Sequence, residues 1–384
     1  GVGTAVYGRL ADLMGTRRPM SLGIALTVFG SVVAALAPTF GLHLLGRAAQ
    51  GAGSAAVPTV AAALLTTSAA GASRSGLVRF TAFSMSVNAV NPLLGGLLIQ
   101  TWSWRPAMAL PALSLAVLPL IWSWLGTDGS GARLDLLGAT LTASVAAGAV
   151  LLLQSPATGW VTAVVGAVLV VLVGPATTGW TRRRPAGFLP LAVVRNGVIM
   201  RCAFTGAALP ATWFALLVGI PLVLFKAGLQ PWQAGLVIAP CGLVGLVSPW
   251  LSRSRLVPAR PAAALVAAAG ATTVSLLAAA TGAALGSVSL LVLAAVGTTT
   301  AFALGQPALI RAVGDAASED VRGAALGVAT LIFMVGASIG SAVVGGLSGV
   351  IGVAGSLVVL SALPVVGILV TAPLVPRTFA PADP

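Results

Sequence analysis

Charge is what this sequence has least of. Only 7% of its 384 residues are charged while 58% are hydrophobic, and the mean hydropathy is +1.05. Soluble domains carry about 25% charged residues, so this composition excludes an ordinary soluble protein. We predict an all-α membrane protein, because a helix satisfies its backbone hydrogen bonds within one segment and can therefore cross lipid.

The chain is also nearly free of lysine, histidine and cysteine, which excludes further classes of function. Its one lysine, Lys226, lies in FKAGL, so the glycine-rich phosphate loop of an ATP-driven pump is absent. His43 falls on a different predicted helix from Ser338 of GASIG, so a catalytic pair is not expected. Cys202 and Cys241 without histidine partners make a poor metal site. We expect no enzyme activity, no metal and no cofactor.

Hydropathy predicts twelve complete transmembrane helices, since about 20 apolar residues span the hydrocarbon core. They lie near residues 19–40, 42–67, 76–100, 104–125, 135–154, 160–180, 199–224, 232–252, 261–281, 286–309, 323–347 and 352–374.

Two polar linkers divide these helices into three blocks. We predict an incomplete N-terminal bundle at 1–125, an inserted helix pair with its linkers at 126–196, and a six-helix C-terminal bundle at 197–384. The chain begins at Gly1 and its first apolar stretch is too short to span, so we expect a first helix and most of a second to be missing. With them, the plan becomes two six-helix bundles and an inserted pair.

The basic residues lie between the helices and predict the orientation. Of the twenty Lys and Arg residues, seventeen fall on one predicted face and only Arg105 and Lys226 on the other, with Arg47 inside a span. By the positive-inside rule, the first face and the C-terminus are cytoplasmic, and we expect the protein in the cell (inner) membrane. The net charge of +13 thus reflects topology, and we expect no nucleic-acid partner.

One polar stretch, YGRLADLMGTRR, resembles the signature loop between the second and third helices of the major facilitator superfamily. The resemblance implies that Asp12 pairs with cationic groups and helix ends and holds one conformation closed. The alternative is a loop that is basic only for topology. We call this stretch the gating loop, and its matching residues are Gly8, Arg9, Asp12, Gly15, Arg17 and Arg18.

A charge inside a span gives the second motif. LLGRAAQGAG resembles the fourth-helix motif of the same superfamily, with Arg47 and Gln50 in matching places. The family associates that arginine with proton transfer and substrate response. Charge at the helix centre costs roughly 2.5 to 3.5 kcal/mol, so Arg47 either faces the bundle interior or reaches for the outer surface. His43 is an interfacial polar residue or a proton sensor.

SVNAVNPLLGGLL is similar to the fifth-helix motif of the antiporter branch. Two residues depart from it, because Val87 and Asn91 replace glycines that permit close helix contact. Asn88 and Asn91 share a helix face, where they either bind substrate or water or only form hydrogen bonds with neighbouring helices. The motif segment contains Asn88, Asn91, Pro92, Gly95 and Gly96.

The remaining motifs extend the resemblance along nearly the whole chain. TWSWRPA, LDLLGATL, FLPLAVVRN, GLQPWQAGLVIAP and SEDVRGAALGV are similar, in this order, to the 14-helix drug:proton antiporters. In the second half, SPWLSRSRLVPAR stands where the family often repeats its gating loop, without the acid. This implies a multidrug exporter that works by proton antiport and alternating access. Alternatives are a transporter of one metabolite, an intramembrane enzyme and an inactive truncated remnant.

The resemblance also implies the partners: a small-molecule substrate, protons and the lipid bilayer, for a transporter that we expect to be a monomer. Family members carry an acidic residue on the first helix, so we expect Arg47 to lack that partner here and these residues alone not to perform coupled antiport. Few polar groups among aromatic walls favour bulky amphipathic ligands. The second-bundle cavity residues are Thr212, Trp213, Phe214, Phe302, Gln306 and Phe333.

Overall fold

A computed structural model of the chain describes residues 2–67, 74–127, 135–241, 243–244, 247, 260–318 and 321–375. Within these ranges the ordered elements are helices and no strand occurs, as predicted. In chain order they are α1 (Val2–Met14), α2 (Arg17–Leu36), α3 (Phe40–Ser54), α4 (Ala56–Thr67), α5 (Arg74–Thr101), α6 (Trp104–Trp124), α7 (Leu136–Thr158), α8 (Trp160–Arg183), α9 (Leu191–Arg195), α10 (Gly197–Lys226), α11 (Pro231–Ile238), α12 (Pro261–Leu285), α13 (Val288–Ala316) and α14 (Arg322–Thr371).

Eight of the described helices are long and apolar enough to cross a membrane. The last of them, α14, contains two predicted spans, and Gly352 with φ 74° separates these because glycine adopts the left-handed region without strain. The predicted span 42–67 is two helices that meet at Ala55. Pro58 has no N–H to donate to the carbonyl of Ser54, which removes a helical hydrogen bond at this junction. The first part of the predicted span 232–252 forms α11, and most of the rest of that span lies outside the described residues.

Short polar side chains begin several helices. Asn196 accepts hydrogen bonds from the backbone N–H groups of Val198 and Ile199 at 3.0 and 3.2 Å, which caps α10. Thr39 and Ser287 similarly cap α3 and α13. Such caps satisfy the donors that the first helical turn leaves free, so these residues mark where each helix starts.

Packing is tightest in the second half of the chain. Helix α10 lies against α12, α13 and α14, and two adjoining apolar cores fill the space among them. Small residues allow this: a Cβ at Gly336 or Gly340 would overlap the carbonyl oxygens of Ala207 or Ala211 on α10. Van der Waals contact between closely approaching backbones, rather than exclusion of water, holds such helices together in lipid.

The first half of the chain has a smaller core and a large apolar exterior. Met20, Ile24, Val60 and Leu125 form a separate cluster where α2, α4 and the end of α6 meet. No residue of α6 is buried, although this helix is strongly apolar. Apolar side chains that face outward along much of a helix are stable in lipid rather than in water.

Candidate functional site

A network of polar side chains links three helices inside the first half. Gln50 on α3 is only 4% exposed. Its amide nitrogen donates to Ser31 Oγ on α2 at 2.8 Å and to the Met108 carbonyl oxygen on α6 at 3.2 Å. Its amide oxygen accepts from Nη1 of Arg47. Ser31 in turn donates to the carbonyl oxygen of Thr27 at 2.7 Å, so every polar side chain of the network has a partner.

Glycines bring α2 and α3 close enough for these bonds. A Cβ at Gly30 would overlap the backbone nitrogen of Gln50, and one at Gly46 would lie 2.5 Å from the backbone nitrogen of Ala34. Larger residues would push the helices apart and take Gln50 away from Ser31. Arg47 and Gln50 could be predicted from their motif, but Ser31 could not, because a serine in an apolar run carries no distinguishing signal.

Arg47 itself is exposed at the protein surface, and its hydrogen-bond partner is Gln50. It is the eighth residue of α3, so at 1.5 Å per residue it lies about 10 Å along the helix from Phe40. This position along the helix is compatible with both predicted roles of Arg47, a functional cation within the membrane and a cation that extends toward the outer surface. Nearby, Nδ1 of His43 is 3.0 Å from the carbonyl oxygen of Ala34, and its ring meets the edge of Trp104 at 5.3 Å.

The stretch predicted as the gating loop forms the end of α1, the connection Gly15–Thr16 and the start of α2, at one end of the molecule that we call the gating-loop end. Gly15 has φ 76°, and a Cβ there would lie 2.6 Å from the backbone of Thr127, so both conformation and space require glycine. Gly8 has no such requirement, since its Cβ would meet Thr59 at an ordinary 3.6 Å. The side chain of Asp12 lies outside the described residues.

The two arginines after Gly15 differ in their surroundings. The backbone N–H of Arg17 donates to the Gly126 carbonyl oxygen at 3.0 Å, and its guanidinium lies 4.6 Å from the ring centre of Trp122. Arg18 is exposed. The gating loop is therefore attached to the end of α6 by backbone and cation–π contacts, with Arg18 free to face the membrane surface.

A second polar centre, outside the predicted site residues, lies beside the gating loop. Asp135 precedes α7 and accepts hydrogen bonds from the Phe188 backbone N–H at 2.9 Å and from the Trp180 indole at 3.0 Å. Arg9 of the gating loop donates to the carbonyl oxygen of Gly187 at 3.4 Å. LDLLGATL contained a usable signal, because an acid three residues before Gly138 has the spacing of a helix cap.

The environment of Asp135 keeps its carboxylate ionised. Partial burial alone raises the pKa, but two backbone N–H donors, the Trp180 indole and the charge of Arg184 outweigh it and lower the pKa below its ordinary value. A lowered pKa means that these contacts contribute stability above the unfolded pKa, about 4, and lose it as pH falls through the folded value. Asp135 is therefore not a group that takes up protons near neutral pH.

At the other end of the molecule, the antiporter-like helix α5 packs closely on α11. A Cβ at Gly96 would lie 2.6 Å from the carbonyl oxygen of Pro231, and one at Gly235 would overlap the backbone of Leu93. Pro92 lies within α5 beside this contact. Gly96 and Gly235 thus join the first and second halves of the chain, and neither position admits a larger residue.

Other residues of the predicted antiporter motif have looser surroundings. The side chains of Asn88 and Asn91 are exposed at the protein surface, and a Cβ at Gly95 would meet nothing within 4 Å. Val87, which replaces a motif glycine, is 42% exposed, so the substitution does not disturb the α5 contact with α11.

Three predicted cavity residues on α13 and α14 come together. The rings of Phe302 and Phe333 meet edge to face with centres 5.4 Å apart. Gln306 and Phe333 line a cavity of about 30 Å³ together with Leu326 and Thr330. Drug-sized sites need roughly 300 to 1,000 Å³, so this cavity holds no such molecule in the present conformation.

The predicted cavity residues on α10 do not face one space. Thr212 is fully buried and bonds the Ala208 carbonyl oxygen at 2.9 Å, and Trp213 packs in the second-half core. Phe214 is 41% exposed. Successive residues of a helix point about 100° apart, which separates these three side chains.

Residues 1–340 match the family described as Major Facilitator Superfamily. Multidrug resistance protein Stp of Mycobacterium tuberculosis is 30% identical over 264 residues, which is 65% of this chain and 49% of that protein. Cephamycin export protein CmcT of Amycolatopsis lactamdurans is 31% identical over 292 residues, covering 69% and 57%. The chain therefore spans about half the length of the curated relatives it matches.

Solved transporters share the fold. A POT family transporter in complex with 5-aminolevulinic acid superposes with a TM-score of 0.70 over 99% of this chain and 86% of its own, at 16% identity. The POT family transporter PepTSo gives 0.67 over 100% and 88%, at 15% identity. At such low identity the similarity concerns the fold alone.

Proposed function

Because this chain belongs to the Major Facilitator Superfamily and is a transporter rather than an enzyme, we propose that it exports bulky amphipathic molecules by proton antiport. The relatives support the substrate class: one is named for multidrug resistance and the other for cephamycin export, each about 30% identical. On the asymmetry of its basic residues, we place the transporter in the cell membrane with the gating-loop end facing the cytoplasm. We further propose that it acts as a monomer.

The polar network around Gln50 carries the proposal. Ser31, Gln50 and Arg47 lie in helices that are otherwise apolar, and polar groups in membrane helices are expensive unless they serve a function. Arg47 contributes a guanidinium cation to the network. A proton or a cationic substrate that enters beside it changes the electrostatic energy of the network, and Gln50 transmits this to α2 and α6.

Alternating access is supported by contacts at the two ends of the molecule. Gly96 packs on α11 at one end, and Arg9 bonds Gly187 at the gating-loop end. A substrate path opens at one end only when the contacts there separate, so the two sets must exchange during transport. The small cavity beside Phe333 then enlarges as the bundles, divided near residues 126 and 196, move apart.

An efflux assay tests the proposal. The protein is expressed from its complete gene in cells that lack their major exporters, and a fluorescent amphipathic cation is loaded with and without an ionophore that collapses the proton gradient. Expression of residues 1–384 alone tests the expectation that these residues do not suffice for coupled antiport. We expect faster loss of dye from expressing cells, and no such difference once the gradient is collapsed. The matched variant Arg47→Ala should behave like non-expressing cells. Dye loss that is equal with and without expression would reject export of this substrate class, and ionophore-insensitive export would reject proton coupling.

A further inference from the structure

The second half of the chain has no acidic gating motif, and Asp135 lies where three parts of the molecule meet. We propose that Asp135 is a positioning residue of the transport cycle: it fixes the linker 185–190 as the surface against which α1 closes the gating-loop end. This inference rests on the proposed transport function. It gives the inserted helix pair, α7 and α8, a role in gating.

Both oxygens of the Asp135 carboxylate are used. Oδ1 accepts from the Gly138 N–H at 2.9 Å and from the Trp180 indole at 3.0 Å, and Oδ2 accepts from the Phe188 N–H at 2.9 Å. These donors belong to the start of α7, the end of α8 and the linker. One side chain therefore ties the linker to both inserted helices, with charge-assisted hydrogen bonds that are stronger than neutral ones.

Glycine lets the linker lie directly on this carboxylate. A Cβ at Gly187 would be 2.5 Å from Oδ2 of Asp135, and a Cβ at Gly138 would overlap the same atom. With the backbone of Gly187 held in this way, its carbonyl oxygen accepts the hydrogen bond from Nη2 of Arg9 at 3.4 Å. Asp135 thus acts on the gating loop through the linker, without touching Arg9.

An apolar contact reinforces this hydrogen bond. Phe188 is 6% exposed and forms a cluster with Ala139 of α7 and Leu331 of α14, against which Val6 of α1 packs. The cluster joins the first block, the inserted pair and the second bundle at one point. Val6 and Arg9 are three residues apart and share one face of α1, so this face meets the linker as a unit.

The two sides of this junction differ in strength, which indicates where it opens. Asp135 is fixed to both inserted helices by Gly138 and Trp180 and accepts a 2.9 Å hydrogen bond from the Phe188 N–H of the linker, and its carboxylate remains ionised near neutral pH. Arg9 makes one long bond to a neutral carbonyl oxygen. When the gating-loop end opens, α1 therefore leaves the linker, while the linker stays with the inserted pair and α14.

Cross-linking tests this without requiring transport. Both native cysteines are replaced by alanine, Val6→Cys and Leu331→Cys are introduced, and the rate of disulfide formation is followed in membranes. We expect Asp135→Asn and Arg9→Ala each to slow cross-linking several-fold. Asp315→Asn, an exposed carboxylate at the end of α13, is the matched control and should leave the rate unchanged.

The double variant separates positioning from general support of the fold. If Asp135 acts through Gly187, then Arg9→Ala adds no further slowing to Asp135→Asn, because the contact is already lost. If the two substitutions slow cross-linking independently, so that their effects multiply in the double variant, the proposal is overturned. It is also overturned if Asp135→Asn cross-links as fast as Asp315→Asn, or if the parent protein with the two introduced cysteines does not cross-link. Trp180→Phe, which removes one donor and keeps the ring, should give an intermediate rate if Asp135→Asn proves too unstable.

Efflux measured on the same variants keeps the two proposals distinguishable. If the parent does not export the dye but cross-links as expected, the transport function fails and the junction stands. If the parent exports and Asp135→Asn neither slows cross-linking nor lowers efflux, the junction has no role in gating.

Discussion

Replacing Gln50 by leucine is the most direct test of the polar network inside the first half. Leucine has a similar size but neither donates nor accepts hydrogen bonds. The variant loses the bonds to Ser31 on α2 and to the Met108 carbonyl oxygen on α6, and it leaves Arg47 without its partner. Ser31 keeps its bond to Thr27, so the damage centres on Met108 and Arg47.

The size of the effect follows from these bonds. Hydrogen bonds between membrane helices contribute about 0.6 kcal/mol each, so two of them give about 1.2 kcal/mol. The Met108 carbonyl oxygen loses the Gln50 donor and faces an apolar side chain instead, which adds roughly 1 kcal/mol or more. We expect Gln50→Leu to lower the free energy of unfolding by about 1 to 3 kcal/mol. We also expect it to abolish most dye efflux, because Arg47 loses its hydrogen-bond partner.

Thermal stability of detergent-purified protein and efflux in cells give the two readouts. Gln50→Glu retains an acceptor for Arg47 but loses the donors, so it should fall between wild type and leucine in stability. Gln100→Leu, at an exposed position near the end of α5, controls for the substitution itself. A Gln50→Leu protein with unchanged Tm and unchanged efflux would refute the importance of the network.

Three further substitutions probe other contacts. Gly340→Val should lower the free energy of unfolding by about 1 to 3 kcal/mol and reduce yield, because the valine side chain overlaps the Ala211 carbonyl oxygen. Gly345→Val, in open space, is the control, and equal melting temperatures of the two variants would contradict this expectation. Arg47→Lys should reduce efflux several-fold at normal abundance because lysine lacks the planar fork, and full activity would favour a cation that merely reaches the surface. Asp12→Asn should impair drug resistance at unchanged membrane abundance, and unaltered resistance would exclude a gating role.

The fold class and family could be predicted from the sequence because each depends on local information. A run of apolar residues long enough to span lipid has one structural solution, so the all-α architecture follows from composition and is confirmed. The spacing of the Gly8 to Arg18 loop and of Arg47 with Gln50 predicted the superfamily, which the match over residues 1–340 confirms. The functional roles of these residues stay predictions.

Partners across helices could not be predicted in the same way. Nothing in an apolar run distinguishes Ser31 from other hydroxyls, and only the approach of α3 at Gly46 gives it Gln50 as a partner. Gly15 and Gly8 look equivalent in the motif, yet only Gly15 has a left-handed backbone and a close neighbour. The consecutive residues from Thr212 to Phe214 formed one predicted set and point in three directions.

The sequence by itself determined that this chain crosses a membrane many times and belongs to a transporter family, since hydropathy and motif spacing are read along the chain. It also predicts that the basic charge lies mostly on one side of the membrane. Only the tertiary structure decided that Asp135 holds the linker beside Arg9 and that Gly96 meets α11. The physical reason is that hydrogen bonds and close contacts form between atoms a few ångströms apart, and residues 9 and 187 are brought together only by packing.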